Sequence, residues 1–279
     1  METSGAGPLS GKVAFVTGGA RGIGRAIPPG LAAAGADVAI ADRHPQPFEG
    51  EQYYRLKRRV SGEEEHVPTQ TEIENLGRMG LTIDVDVADI SAVEAGVSAC
   101  SETLGPIDIL VNNAGIVNNI ASIATMDPEA WQHELAVNLS GMFHTVRTIA
   151  PTMAKRGWGR IINIASIGGV QPGLGQPAYT ASKAGVIGFT RAVAQEFGRG
   201  GVTANAILPG LIATPLVLSM PAHLRDGAAA RAPVGRLGTP ADIANLAVFL
   251  AAPASGFITA VDIACDGGML HAPVSGLDR

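Results

Sequence analysis

Lys12-Val13-Ala14-Phe15-Val16-Thr17-Gly18-Gly19-Ala20-Arg21-Gly22-Ile23-Gly24 joins a short apolar run to a turn made of small residues. The run from Lys12 to Thr17 reads as a strand, and the turn opens a helix. Small residues let the backbone approach a pyrophosphate. The helix N-terminus adds unpaired N–H groups and the positive end of a dipole. A Gly-rich turn alone is a modest signal, but a strand–turn–helix unit at the start of a domain makes it a candidate dinucleotide site. The residues assigned to that site are Thr17, Gly18, Arg21, Gly22, Ile23 and Gly24.

Outward from this unit, strand-like runs alternate with helical patterns. Asp37 to Asp42, Leu81 to Asp86, Ile107 to Asn112, Arg160 to Ser166, Val202 to Leu208 and Val261 to Cys265 read as six further strands. They are mostly apolar and β-branched, as strands buried on both faces are. The pattern predicts an α/β fold: one doubly wound parallel sheet of seven strands, with helices on both faces. Asp42 ends the second strand, eighteen residues after Gly24. An acid there can accept hydrogen bonds from both hydroxyls of an adenosine ribose and repels a 2′-phosphate, which favours NAD over NADP. Arg43 and Arg21 argue the other way, since either can pair with that phosphate.

Helix starts are legible between the strands. Ser91-Ala92-Val93-Glu94 reads as a capping box, and Asp127-Pro128 and Thr239-Pro240 each set a capping side chain before a Pro at the first helical position. Two places break the pattern. Pro28-Pro29 falls inside the first helix, where each Pro removes a backbone donor. This predicts a bend or a tighter turn close to Ile27. The connection at 43–68 is long for a compact domain, with a basic cluster at Arg55, Lys57, Arg58 and Arg59 followed by Glu63-Glu64-Glu65. It reads as a solvated surface excursion, or else as a flap near the adenine end or a subunit contact. Residues 1–10 and 271–279 read as tails around one domain spanning 11–270.

The 279 residues suffice for one large core. No apolar run is long enough to span a bilayer, and the first ten residues lack the features of a signal peptide. Cys100 and Cys265 have no metal spacing, nor do the six His residues, so no metal site is expected. These features together predict a cytoplasmic protein with reduced thiols. The net charge of −5 gives no reason to expect nucleic acid or a membrane as a partner.

Tyr179-Thr180-Ala181-Ser182-Lys183 carries the chemistry. Tyr and Lys four apart share one helix face, so the ammonium can sit beside the phenol. A neighbouring cation favours the phenolate and moves its pKa toward neutrality, where it can serve as acid and base. Tyr-x-x-x-Lys is weak alone. Here it lies thirteen residues after Ser166, which ends a predicted strand.

Taken together, these motifs resemble the short-chain dehydrogenase/reductase family from Gly11 to about Met269. Thr17-Gly18-x-x-x-Gly22-Ile23-Gly24 is similar to its cofactor turn, and Asp86-Val87 to its adenine-contacting pair. Asn112-Asn113-Ala114-Gly115 is similar to its fourth-strand motif, with Asn113, Ala114 and Gly115 walling the cofactor. Pro209-Gly210, Ile212 and Thr214 resemble the segment that holds the nicotinamide carboxamide, and Asp266-Gly267-Gly268 the C-terminal turn. Asn138, Ser166, Tyr179 and Lys183 fall where the catalytic tetrad falls. The resemblance implies a Rossmann-like fold and a homotetramer or homodimer. It also implies that Lys183 holds the nicotinamide ribose and that Asn138 supports a proton-relaying water. Tyr179 is placed to exchange a proton with the substrate oxygen, and Ser166 to steady the charge on that oxygen.

Three stretches should line the substrate pocket: 116–126, 167–178 and 211–222. None contains Lys, Arg or an acid. A carboxylate or phosphate would normally meet a cation there, so the expected substrate is a neutral secondary alcohol or ketone. Leu211, Leu216, Val217, Leu218 and Met220 are expected along its wall, on a segment able to act as a lid. The leading expectation is an NAD-dependent alcohol dehydrogenase or ketone reductase. The alternatives are an NADP-dependent 3-oxoacyl-type ketoreductase and a nucleotide-sensing protein of the same fold without turnover.

Overall fold

The computed structural model describes residues 7–43, 67–117 and 120–272. The expected excursion at 43–68 therefore lies outside the described residues from 44 to 66, and the C-terminal tail does so from 273 onward.

Seven strands form one sheet. They are β1 Val13–Thr17, β2 Asp37–Asp42, β3 Gly80–Asp84, β4 Ile109–Asn112, β5 Gly159–Ile164, β6 Val202–Pro209 and β7 Asp262–Cys265. The order is β3-β2-β1-β4-β5-β6-β7 and every pairing is parallel. The helices around it are α1 Gly22–Ala33, α2 Thr69–Asn75, α3 Ile90–Thr103, α4 Pro128–Leu135 and α5 Gly141–Arg156. They continue as α6 Pro177–Phe197, α7 Pro215–Leu218, α8 Ala222–Arg231 and α9 Pro240–Ala251. None of these is long and apolar enough to cross a membrane.

Alternation along each strand explains the two wound faces. Ala14, Val16, Val38, Ile40, Ile109, Val111 and Ile162 join a core with Ile27, Leu31, Ile243 and Leu250 of α1 and α9. Val13, Phe15, Ala39, Leu110 and Ile161 face the opposite way, against Val93, Val146, Ile149 and Val193 of α3, α5 and α6. Successive strand side chains point to opposite faces, so a strand apolar at every position must be covered twice. The two edge strands, β3 and β7, are the exceptions, having no fully buried position. Leu9, on the tail side of the sequence boundary, is fully buried, and its N–H donates to the Ala34 carbonyl over 2.9 Å.

Two local expectations are corrected. The first helix is not interrupted near Ile27: α1 runs as one α-helix from Gly22 to Ala33 with both prolines inside. An interior Pro costs about 3 kcal/mol, whereas burying one large apolar side chain contributes about 1.5–3 kcal/mol. Ile27, Pro28, Leu31 and Ala32 are all buried, and α1 packs along α9. Tertiary burial thus offsets the missing donors. The second correction concerns α3. Ser91 is not its cap; Asp89 is, accepting from the Ser91 N–H over 2.9 Å. The helix starts at Ile90, one residue ahead of Ser91, so Ser91 already lies in its first turn. The other two caps form as read, at Asp127 and as a full capping box at Thr239 with Asp242.

Candidate active site

The strand order reverses between β1 and β4, and ligands of open α/β sheets bind in the crevice at the strand carboxyl ends there. The Gly-rich turn and the segment after β4 lock together at this point. Asn113 Nδ2 donates to the Thr17 and Gly18 carbonyls over 3.2 and 2.8 Å. Thr17 Oγ1 accepts the N–H groups of Asn113 and Ala114, each over 3.1 Å. Gly18 and Gly22 have φ of +64° and +54°, a region that favours glycine. A Cβ on Gly24 would stand 1.9 Å from the Gly18 carbonyl oxygen. Only glycine fits at that helix start, and the cradle leaves backbone N–H groups for a pyrophosphate. Arg21 is the exposed residue just before α1, and Ile23 turns inward to pack on the core. On an observation of its own backbone, then, the turn fits a dinucleotide.

The adenosine end is built from β2 and the residues after β3. Asp42 Oδ2 accepts the Ala20 N–H over 2.9 Å, which fixes the carboxylate beside the turn. Arg43 pairs with Asp86 at 3.8 Å while remaining 63% exposed, a loose contact of little energy. Asp86 Oδ1 caps the Ala88 N–H, and the buried Val87 presses on the start of α5.

At the other end, Pro209 closes β6, and the Gly210 N–H donates to Cys265 over 3.1 Å. A Cβ on Gly210 would lie 2.8 Å from the Asp266 Cα, so the C-terminal turn and this segment need each other's closeness. Ile212 is buried. Thr214 caps α7, and its Cγ2 would be 3.6 Å from a Cβ built at Gly22. Both ends of the predicted cofactor segment therefore border one cleft.

The four tetrad residues also converge. Tyr179 and Lys183 stand one turn apart on α6, with Lys183 Nζ 5.8 Å from the Tyr179 ring centroid. Nζ is buried and donates to the Ile164 carbonyl over 2.8 Å. Ser166 Oγ and the Tyr179 ring converge, each 3.3 Å from a Cβ built at Gly168, and the Ser166 oxygen accepts the Gly168 N–H over 3.0 Å. Asn138 lies in a π-helical turn, Ala136–Ser140, between α4 and α5. Its Oδ1 accepts the Ile116 N–H over 2.7 Å, and its Nδ2 donates to Ile116 O and Ser182 Oγ over 2.8 and 3.2 Å. Such single π-turns recur at functional sites. Gly115 threads between: a Cβ there would be 3.2 Å from Asn138 Oδ1 and 3.4 Å from Lys183 Nζ.

The expectation that Lys183 brings the Tyr179 pKa down is corrected. Burial pushes the phenol up, the Ser166 hydrogen bond pulls against that rise, and the charge of Glu134 adds to it. The ammonium is turned to the Ile164 carbonyl, and burial brings it down to about 8.

Sequence reading missed two elements of the site. Beneath it runs a buried polar chain. Thr145 Oγ1 donates to Asn112 Oδ1 over 2.7 Å, Asn112 Nδ2 to Asn163 Oδ1 over 2.9 Å, and Asn163 Nδ2 to Thr190 Oγ1 over 2.9 Å. Each polar group has a partner, so the chain stiffens β4, β5 and α6 under the tetrad. The signal was Asn inside two otherwise apolar strands. The other element is Glu134, fully buried on α4. No local pattern marked it, since its neighbour His133 on the same helix is exposed.

The predicted substrate stretches border the cleft. The Ala121 N–H donates to Gly175 over 2.9 Å, joining the first two. Large apolar side chains stay exposed in all three: Ile123, Val170, Leu174 and Leu218.

The Gly-rich turn and a Ser–Tyr–Lys cluster thus meet at the carboxyl ends of the strands. Residues 18–270 match the family described as Enoyl-(Acyl carrier protein) reductase. An acetoacetyl-CoA reductase of Shinella zoogloeoides is 39% identical, over 92% of this chain and 98% of its own. A 3-oxoacyl-[acyl-carrier-protein] reductase of Vibrio cholerae is 36% identical, over 94% and 98%. A solved short-chain type dehydrogenase/reductase from Mycobacterium ulcerans superposes with a TM-score of 0.83 at 30% identity, over 94% of this chain and 90% of its own. The chain belongs to the short-chain dehydrogenase/reductase family of oxidoreductases.

Proposed function

We propose that this enzyme exchanges a hydride between a nicotinamide cofactor and a neutral secondary alcohol or ketone, with Tyr179 moving the proton on the substrate oxygen. The carrying observation is that Ser166 Oγ and the Tyr179 ring converge on one point, each 3.3 Å from a Cβ built at Gly168, with buried Lys183 one helical turn away. The cofactor supplies the hydride. The chain supplies the rest. Ser166 orients the phenol and can share its hydrogen bond with an oxygen gaining negative charge. A phenol pushed up by burial stays protonated at neutral pH, which suits it to donate to a carbonyl. Lys183 and Asn138 hold the floor, tied to Ile164 and Ile116. Residues 17–24 would hold the pyrophosphate, Asp42 the adenosine ribose, and 209–214 the nicotinamide end.

Asp42 supports NAD, because its fixed carboxylate would face a 2′-phosphate with like charge. The uncharged pocket stretches and their exposed apolar side chains support an apolar, uncharged substrate body. A second reading, reduction of a 3-oxoacyl thioester, has one specific support: two relatives bear such names. The carbonyl that reacts in such a substrate is itself uncharged.

Nicotinamide absorbance with NADH and NADPH, against matched pairs of neutral ketones and keto acids, tests the reading. We expect higher kcat/KM with NADH and with the neutral member of each pair, and a weaker NADH preference in Asp42→Ala. A wild-type preference for NADPH would overturn the role of Asp42 and point to Arg43 and Arg21. A keto acid outperforming its neutral counterpart would overturn the substrate class.

A further inference from the structure

Glu134 is the one fully buried acid among the described residues. It is 1% exposed, and neither carboxylate oxygen accepts a hydrogen bond from the protein. Among the described residues the other buried side-chain oxygen in that condition is Thr180 Oγ1, beside Tyr179 on α6. Helix α4 packs on α6, and the π-turn that carries Asn138 begins two residues after Glu134. An unbonded buried carboxyl is costly, and an apolar side chain would fill the same space without that cost. A charge held in this way beside a cleft is a candidate for function. The charged and titratable groups facing it are Lys183 and Tyr179 from α6. Glu129 and His133, on its own helix, are exposed, and the π-turn contributes no titratable group.

We propose that Glu134 is a positioning residue for this pair: its buried carboxylate is the countercharge that holds the protons on Lys183 and Tyr179, and it thereby extends proton donation by Tyr179 to higher pH. The inference rests on the reading of Tyr179 as the proton donor. The electrostatics run the same way. Burial pushes the Glu134 carboxyl up to about 7, and Lys183 opposes that rise. Burial brings Lys183 down to about 8, and Glu134 opposes that fall. Each group therefore opposes the other's loss of charge. Without the carboxylate, both protons leave at lower pH.

The test reads Tyr179 without turnover. Phenolate absorbance is followed through an alkaline titration of the full chain, with Tyr179→Phe subtracting the signal of Tyr53 and Tyr54. Glu134→Gln should lower the Tyr179 midpoint by about 0.5 to 1 pH unit, the scale of one charge acting through a partly solvated interior. Glu134→Val, which fills the volume with an apolar group, should give the same shift and stands in if the Gln variant does not fold. Glu134→Asp, which keeps the charge, should restore the midpoint toward wild type. The alkaline limb of reductive kcat/KM should move down with the midpoint in the Gln and Val variants. An unchanged midpoint overturns the proposal, even if melting temperature changes, because a structural role alone would move only the latter. If the wild type reduces no ketone while the midpoint still shifts, the reading of Tyr179 fails and the coupling stands.

Discussion

Helix α1 and the segment from α4 through α5 invert each other. Helix α1 has an irregular sequence, with Pro28-Pro29 in its interior, yet its geometry is an unbroken α-helix. The segment that opens at the Asp127-Pro128 cap carries Asn138 within a helical pattern, yet residues 128–156 break into α4, a π-turn and α5. The difference lies in what each segment is held by. Helix α1 is held by apolar burial against β1, β2 and α9, which tolerates lost backbone bonds. The π-turn is held by side-chain hydrogen bonds from Asn138 to Ile116 and Ser182, which need one set of directions. A backbone defect can be absorbed where packing is non-directional. It is built in where a polar side chain must be aimed. Helix α1 also serves the site through backbone at its start, whereas the π-turn region and α6 serve it through side chains.

That contrast predicts that changes around α6 act on turnover, and changes within α1 act on stability. The largest effect is expected from Tyr179→Phe. Removing a positioned acid–base group should lower kcat by about 10²- to 10⁴-fold, while fluorescence titration of the cofactor gives an affinity near wild type. A rate within a factor of about two of wild type would break the comparison at its stronger end.

A middle-sized effect is expected from Glu134→Val on stability. The folded chain keeps a proton on Glu134 up to about pH 7, whereas the unfolded chain releases it near its ordinary value of 4.5. A raised acid pKa therefore destabilises the fold progressively as pH rises through that window. Replacing the acid removes the penalty, so denaturant melts should show the variant gaining on wild type by about 1 to 3 kcal/mol more at pH 7 than at pH 4. An equal gain at both pH values would show that the carboxyl is not held apart from solvent.

The smallest effect is expected from Pro29→Ala. It returns a donor toward the Arg25 carbonyl in an otherwise regular helix. Because packing already keeps α1 one continuous helix, we expect a gain of about 1 kcal/mol or less rather than the full cost of an interior proline, about 3 kcal/mol. Cofactor affinity should not change, since the turn at 18–24 precedes the substitution. A gain near the full value would mean that burial does not absorb the prolines, and it would sharpen the comparison into one of stored strain.

The sequence by itself determined the order and direction of the elements and the place of the cleft. Strands apolar at every position demand cover on both faces, and small residues between strand and helix demand a close backbone approach. These are local requirements, and they were legible at Thr17 to Gly24, at Asp42 and in the caps of α4 and α9. The spacing from Ser166 to Tyr179 to Lys183 was legible for the same reason. Tertiary structure decided the rest. Ser91 lost its capping role because the helix begins at Ile90, where the Asp89 side chain already caps it by accepting the Ser91 N–H. The prolines of α1 were overruled by burial, which no local pattern reports. Glu134 follows exposed His133, and only the packing of α4 on α6 shows it closed off from water. The rise of the Tyr179 pKa also belongs to the tertiary structure. Spacing can set a lysine one turn from a tyrosine, but burial, the Ile164 carbonyl and the charge of Glu134 decide which way the proton is held.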